Sequence, residues 1–312
     1  AIENFDRALK IKPDYVDAYT NMIELLAIQY PKKETNNPIF GVNRKIQEIN
    51  INCQNSKFIS DDDILKIFSK ASEILSHNNL KYKTEKSQVF RNNAVDLNCT
   101  RHMSIFHTRD IIPEFCFGCY KVQIEPNSII ELLKLFIIFD QIKLSQNNIR
   151  KCMVELRPQV AGFYKGFIYC SSFEQADQIA NHLSDLVQKK IRTGLMAKVK
   201  RGCSEYGITF PDYKEIDTSS SSFMRYDLDW KAIEENFDRE NLQQNIPNQS
   251  RSLTGLQLSD VLVFSRWIEY ARAIGDQSAD FLTKESSEYS ALYDSAKART
   301  QMYQFLPVEK SG

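Results

Sequence analysis

The chain has 312 residues, with 40 basic and 40 acidic side chains, so its formal net charge at pH 7 is zero. Apolar residues make up 42% and charged residues 26%, which is typical of a globular protein with material for about two domains. A neutral chain is not expected to be a general binder of nucleic acid or acidic membranes. Without a run of about 18 uncharged apolar residues, no transmembrane helix is predicted. Seven cysteines favour a reduced, cytoplasmic compartment over a disulfide framework.

The first thirty residues have the small, aromatic and proline positions of a helical repeat. AIENFDRALKIKPD places Ala1, Phe5, Ala8 and Pro13 as in a tetratricopeptide repeat (TPR), and VDAYTNMIELL follows as a next helix. The segment resembles the second helix of one TPR unit and the first of the next, although Ile23 stands where the family has a small residue. Because such helix pairs need a neighbour, the resemblance implies upstream repeats that bind a protein partner. The alternative is an ordinary amphipathic hairpin.

The segment from residue 31 to residue 115 has no single pattern. Residues 31–60 are polar and rich in asparagine, which predicts a linker or an irregular region. An acidic start and helical spacing of apolar residues predict a helix over 61–79. Residues 80–115 have mixed polarity and contain the first half of a cysteine and histidine cluster.

That cluster consists of two short pairs, Cys99-x2-His102 and Cys116-x2-Cys119. Paired x2 spacing of thiols and an imidazole is typical of a tetrahedral zinc site, and four protein ligands would make the zinc structural. His107 is an alternative to His102, and an iron–sulfur cluster is a second interpretation of the thiols. The competing interpretation is that Cys116 and Cys119 are buried as small apolar residues without metal.

The middle of the chain predicts a βαββαβ order. Strand-like alternation at 119–125, 150–158, 164–172 and 196–210 is interrupted by amphipathic helices at 128–144 and 173–191. This order is that of ferredoxin-like domains, with a four-stranded antiparallel sheet, two helices on one face and the second strand at an edge. After a loop at 217–223, helices are predicted at 229–242, 258–274 and 286–306, the last more exposed.

These patterns divide the chain into four regions of an α+β protein. We predict a TPR remnant at 1–30, a linker and helical, cysteine-containing region at 31–115, the βαββαβ domain at 116–215 and a helical C-terminal region at 224–306. The segments RKCMVELRP, YKGFIYCSS and KRGCSEYG behind the TPR stretch resemble bacterial TPR-linked proteins of uncharacterised function, and this resemblance implies no particular activity.

The third predicted strand, YKGFIYCSS, resembles the aromatic motif of RNA-recognition domains through Lys165, Phe167 and Tyr169. The resemblance implies base stacking on Tyr120, Phe167 and Tyr169, with lysines on phosphates. The acid-free basic stretch at 189–201 supports it. Two motif positions are replaced, and we favour the alternative that these rings pack locally and the basic stretch is a solvated surface.

A further group of polar residues lies on the last three predicted strands. Glu155 and Arg157 share one strand face because side chains two residues apart do. The polar segment 200–207 adds Arg201, Cys203 and Glu205. An arginine here would clamp a carboxylate or phosphate, and positive charge would activate the Cys203 thiol. The alternative is a set of internal salt bridges with an inert cysteine.

Functional hypotheses of three classes follow from these observations. No phosphate loop, dinucleotide fingerprint, zinc-protease helix or nucleophile elbow is present. We therefore expect first an interaction or ligand-binding protein, braced by structural zinc and recruited through TPR helices. The alternative is an enzyme that acts on a small anionic or nucleotide-like substrate, and the disfavoured third is single-stranded RNA binding.

Overall fold

An antiparallel sheet of five strands forms the centre of the protein. The computed structural model describes residues 1–28, 37–53, 56–78, 84–91, 97–158, 160–241, 254–282 and 293–303. The strands are β1 (Gln88–Arg91), β2 (Tyr120–Ile124), β3 (Arg150–Val154), β4 (Tyr164–Cys170) and β5 (Lys198–Arg201). Their spatial order is β1-β3-β4-β2-β5, and every neighbouring pair is antiparallel. The predicted α+β class is therefore confirmed.

Two helices pack on one face of this sheet. α7 (Ile129–Gln141) lies against β3 and β4, and α8 (Phe173–Lys190) lies against β2, β4 and β5. Each begins at a serine whose hydroxyl accepts a backbone N–H three residues later, Ser128 from Glu131 and Ser172 from Gln175. α7 is buried almost all round because it lies between the sheet and a further helical layer.

That outer layer contains the N-terminal helices and one late helix. Its members are α1 (Ile2–Ile11), α2 (Val16–Ile28), α3 (Pro38–Gln47), α4 (Asp61–His77) and α11 (Leu258–Ile274). α4 begins at a capping box formed by Ser60 and Asp63. α11 contacts α2, α3, α4 and α7, so one continuous apolar core joins the N-terminal helices to the helix-covered side of the sheet.

A second, smaller core lies beside β5. It is built around Phe106, Ile112, Cys116, Tyr206 and Tyr213. The remaining helices are α5 (Cys99–Arg109), α6 (Glu114–Gly118), α9 (Tyr206–Thr209), α10 (Trp230–Glu240) and α12 (Tyr293–Met302), with 3₁₀ turns at Pro211–Lys214 and Gln277–Phe281. Within the described ranges, none of these helices combines the length and the apolar character needed to cross a membrane.

Two sequence predictions about the fold are wrong in detail. The second predicted strand, β3, is not at an edge, because β1 pairs with its outer side. Part of the predicted linker is α3, which buries Ile39, Phe40, Val42 and Ile46 behind an Asn37 cap. The last helix is more exposed than Leu258–Ile274, as predicted, although Ala296 and Arg299 are buried. Parts of 31–60, 80–115, 229–242 and 286–306 lie outside the described residues.

Candidate functional site

The face of the sheet that turns away from α7 and α8 is rich in lysine, and we call it the lysine face. Gly166 lies against Leu135 and Phe139 of α7, so its neighbours Lys165 and Phe167 point to the opposite side because strand side chains alternate. The pairing register places the other members of this face. Its lysines are Lys121, Lys151, Lys165, Lys198 and Lys200.

A buried aromatic ring lies between two of these lysines. Phe167 is 6% exposed, and its ring centroid is 5.2 Å from the Lys121 Nζ and 5.5 Å from the Lys151 Nζ. Lys151 also lies 5.7 Å from the Phe90 ring and 5.9 Å from the Tyr169 ring. Ring faces attract cations, so Phe167 on β4 has one ammonium group near it from β2 and another from β3.

Neither of these two ammonium groups is neutralised by a carboxylate in the described part of the chain. Lys121 is only 7% exposed, and it has neither a hydrogen-bond acceptor nor an ion-pair partner among the described residues. Lys151 donates one long hydrogen bond, of 3.4 Å, to the Gln88 side-chain oxygen. Lys200 stands directly opposite Lys121 across the β2–β5 pairing, so a further positive charge is adjacent.

The environment of Lys121 disfavours its charged form. Burial lowers the pKa of Lys121 to about 8, and the charges of Lys151 and Lys200 act in the same direction. The nearby Glu205 carboxylate opposes this shift without cancelling it. Burial likewise lowers the pKa of Lys151. The lysine face therefore contains a pair of poorly solvated, mutually repelling cations.

The polar group predicted from β3 does assemble, as a self-neutralising network at the border of this face. Glu155, 1% exposed, accepts hydrogen bonds from Arg157 at 2.9 Å and from Lys165 at 3.1 Å. Arg157 also donates to Glu205 at 3.0 Å. Burial alone would raise the pKa of Glu155, but Arg157 and Lys165 lower it to about 2. This arrangement is the internal salt-bridge alternative.

Arg201 does not belong to that group. It is 4% exposed and donates to the Phe117 carbonyl at 2.6 Å and to the Tyr120 hydroxyl at 2.9 Å, on the helix-covered side. The rings of Tyr120, Tyr213 and Phe223 surround its guanidinium. The structure does not place Arg201 on the same face as Arg157, because Arg201 follows Lys200 and alternation turns it to the other face.

The three predicted stacking rings do not form one platform. Tyr120 pairs with Cys170 and shares its face, whereas Lys121 pairs with Tyr169 on the lysine face. Tyr120 is therefore on the opposite side of the sheet from Phe167 and Tyr169, and it packs on Phe173 of α8. The predicted position of Tyr120 is wrong for the same reason of strand alternation.

The predicted activation of Cys203 is also wrong. Burial raises the pKa of Cys203 to about 11, and the charge of Glu205 adds to the effect. Arg201 turns to the other face and does not offset it. The neighbouring Cys116 thiol, whose pKa burial raises to about 12, lies 3.3 Å from the Tyr206 hydroxyl. These thiols are therefore protonated near neutral pH.

The predicted zinc ligands are not arranged as a metal site. Among the described residues, no group of three or more His, Cys, Asp or Glu side chains is placed to hold a metal ion. His102 is buried and stacks on Phe115, with ring centroids 5.1 Å apart. Cys99 is exposed at the start of α5, while Cys116 and Cys119 are buried at α6 and just before β2. The predicted ligands therefore differ in burial and do not converge, within the described residues, as part of a group of three or more.

Sequence reasoning did not select the two lysines at the centre of this face. Their signal was present, since Lys121 lies between Tyr120 and Val122 in a predicted strand and Lys151 directly precedes the apolar residues Cys152, Met153 and Val154. Comparison with known protein families, with curated proteins and with solved structures finds no match to this chain. The function of the lysine face has to follow from its own geometry.

Proposed function

We propose that the lysine face binds a small anionic ligand between Lys121 and Lys151. The proposal depends mainly on Lys121, a side chain that is only 7% exposed beside the Phe167 ring and whose ammonium has no hydrogen-bond acceptor and no carboxylate partner among the described residues. Burying a charge without a partner is costly. An anion that reaches both ammonium groups would relieve that cost and their mutual repulsion.

A comparison within the same face supports this proposal. Lys165 is as buried as Lys121, but its ammonium contacts the Glu155 carboxylate at 3.1 Å. A lysine that serves only the fold is satisfied in this manner. Neither Lys121 nor Lys151 has such a carboxylate contact within the described ranges, which is the expected state of an anion site before its ligand arrives.

A small anion fits these contacts better than RNA. Single-stranded RNA needs exposed ring faces on which successive bases stack, whereas Phe167 is buried and Tyr120 lies on the other face.

An enzyme that uses Glu155, Arg157, Arg201 and Cys203 together is also disfavoured, because Arg201 is on the other face and Cys203 is protonated.

We also propose how the remaining parts of the chain relate to this site. The order β3-β4-β2-β5, with α7 and α8 as the connections, supports a ferredoxin-like arrangement to which β1 adds an edge strand. The paired helices α1 and α2 support a TPR-like unit that recruits a protein partner. In this proposal the helices bring the ligand-binding sheet to that partner.

The proposal is tested by calorimetric titration of the full chain with inorganic phosphate and with L-lactate. We expect saturable binding with one site, weakened at least ~10-fold by Lys121→Met, since a charge-assisted contact is worth about 1.5–3 kcal/mol. Lys198→Met is the matched control, because Lys198 is an exposed lysine of the same face on β5. The proposal is overturned if neither anion binds, or if the two variants weaken binding equally.

A further inference from the structure

The outer edge of the sheet at β1 is a second candidate site, and it does not depend on the anion-binding proposal. β1 pairs with β3 on one side and with no described strand on the other. We propose that this open edge binds an extended peptide as an added antiparallel strand, and that the peptide alternates apolar and acidic side chains. The partner is therefore a protein that presents such a segment.

The pairing pattern of β1 leaves some of its backbone groups pointing outwards. Antiparallel neighbours exchange hydrogen bonds at every second residue. The Ser87 carbonyl accepts the Val154 N–H at 3.4 Å, so Val89, two residues further on, also directs its backbone groups to β3. Gln88 and Phe90 therefore direct their N–H and C=O groups away from the sheet.

These outward groups are mostly unpaired within the described ranges. The Gln88 N–H and C=O and the Phe90 N–H have no hydrogen-bond partner among the described residues. The Phe90 carbonyl accepts one bond, from the Arg91 guanidinium at 2.9 Å. An open edge of this kind is a template for a further strand. Backbone donors and acceptors at strand spacing are complementary to another extended chain, and not to a helix.

A groove beside β1 provides room for one such strand. Its volume is about 670 Å³, and it is lined by residues 84–90, by α2 and by α11, with Ile23, Leu262 and Val263 among its apolar residues. Val89 points to this helix-covered side, since it is buried in the core to which α11 belongs. Alternation turns every second side chain of an added strand to the same side. Apolar side chains at those positions match the groove.

The other side chains of an added strand would lie on the lysine face. Gln88 and Phe90 belong to that face, because Lys151 donates to the Gln88 side chain at 3.4 Å and lies 5.7 Å from the Phe90 ring. No carboxylate contacts the Lys151 ammonium in the part of the chain that the structure describes. Neighbouring strands are about 4.8 Å apart, so an acidic side chain opposite Phe90 is within reach of a long lysine side chain two strands away.

A peptide fits this edge better than a second copy of the chain does. A two-fold axis that pairs two β1 edges keeps both helical layers on the same side of the joined sheet. α2 lies directly beside the edge, where Glu24 contacts the Lys86 Nζ at 2.8 Å. A second copy would bring its own α2 and α11 towards this groove, whereas a single strand needs only the groove itself.

The test is titration of the full chain with the blocked, fluorescein-labelled peptide Glu-Val-Glu-Val-Glu-Val, followed by fluorescence polarisation. We expect saturable binding, and at least ~10-fold weaker binding of the matched Lys-Val peptide. In an antiparallel addition, the peptide residues on the lysine face are those that hydrogen-bond to β1. N-methylation of the inner glutamates should therefore weaken binding at least ~10-fold, and N-methylation of the inner valines should change it by less than ~3-fold.

Two substitutions at one position separate the backbone contribution from that of the side chain. Gln88→Pro removes the outward N–H and leaves the β1–β3 ladder intact, because proline is accepted where an edge N–H faces outwards. It should weaken peptide binding at least ~10-fold. Gln88→Thr is the matched control, since it loses the same contact with Lys151 but keeps the N–H, and it should retain binding. Circular dichroism verifies folding, and the N-methylated peptides test the unmodified chain independently of both variants.

Hydrogen exchange followed by nuclear magnetic resonance locates the bound peptide. The Gln88 and Phe90 amides should exchange at least ~10-fold more slowly in the complex, whereas the Val89 amide, already bonded to β3, should change little. Slow exchange of Gln88 and Phe90 before peptide is added would show that the edge is already occupied and overturns the proposal.

Other results also overturn it. They are the absence of binding, equal or reversed effects of the two N-methylated peptides, and equal binding of the Glu-Val and Lys-Val peptides. A dimer of the free chain that the peptide dissociates would assign the edge to a second copy and overturn the peptide as its occupant.

Discussion

Lys121 and Lys165 lie on the same face of the sheet and are similarly buried, yet of the two only Lys165 contacts a carboxylate of the described residues, at 3.1 Å from Glu155. The two lysine side chains therefore have different electrostatic surroundings at similar burial. Lys165 completes a neutralised network, whereas Lys121 adds a charge that no carboxylate contacts in the part of the chain that the structure describes. We therefore expect the charge of Lys165 to raise the free energy of unfolding and the charge of Lys121 to lower it.

Methionine substitutions at these two lysines are expected to change stability in opposite directions. Lys165→Met leaves the Glu155 carboxylate buried with one partner fewer, so we expect the free energy of unfolding at pH 7 to fall by about 3 kcal/mol. Lys121→Met removes a poorly solvated charge and keeps the apolar stem, so we expect it to rise by ~1–3 kcal/mol. Urea denaturation measures both. A loss of similar size at the two positions would contradict the assignment.

The effect of Lys121 on stability should also depend on pH. Its pKa of about 8 in the folded chain is lower than that of an ordinary lysine, about 10.4, in the unfolded chain. The unfolded chain therefore binds more protons between these values, and stability from this group rises with pH across that window. We expect the advantage of Lys121→Met over the unmodified protein to be complete below pH 8 and to disappear towards pH 10.

The Glu155 network predicts a loss of stability in acid. The pKa of Glu155 is about 2 in the folded chain and about 4.3 in the unfolded chain, so its contribution is complete above pH 4.3 and is lost as pH falls towards 2. Glu155→Gln should cost about 3 kcal/mol at pH 7 and progressively less below pH 4.3. Urea denaturation at pH 7, 4.5 and 3 checks this. A cost that is the same at pH 7 and pH 3 would show that the charge is not responsible.

Much of the fold could be predicted from the sequence because its elements have strong periodicity. The alternation around β2, β3 and β4 and the amphipathic pattern of α8 led to the correct element types and nearly correct bounds. β1 was missed because it has only four residues in a stretch of mixed polarity. α3 was missed because frequent asparagines concealed the helical spacing of its apolar residues.

The site was only partly predictable, because faces depend on pairing register. The grouping of Glu155, Arg157 and Glu205 followed from local spacing and from the polar segment after β5. Arg201 and Tyr120 were placed wrongly, because an error of one position reverses the face of a strand residue. The positions of Lys121 and Lys151 on either side of Phe167 depend on three paired strands, which no local pattern reveals.

Close packing between β4 and α7 predicts a specific role for Gly166. A Cβ atom at this position would lie 2.5 Å from Leu135 Cδ2 and 3.1 Å from the Phe139 ring. We expect Gly166→Ala to lower the free energy of unfolding by ~1–3 kcal/mol, because both side chains would have to shift within a packed core. Gly41→Ala in α3 is the control, since no atom lies within 4 Å of its Cβ position. That control should be neutral or stabilising by up to ~1 kcal/mol, as thermal unfolding of both variants would show.

Anion binding to the lysine face should be coupled to proton uptake. At pH 8, about half of Lys121 is unprotonated in the free protein, since its pKa is about 8. A bound anion stabilises the ammonium form and raises that pKa, so about half a proton should be taken up for each anion bound. Calorimetric titration with inorganic phosphate at pH 8, in buffers that differ in ionisation enthalpy, measures this number directly. Lys121→Met should abolish the uptake, and Lys198→Met should retain it. Binding without uptake in the unmodified protein, or with undiminished uptake in Lys121→Met, would assign the anion to a different part of the molecule.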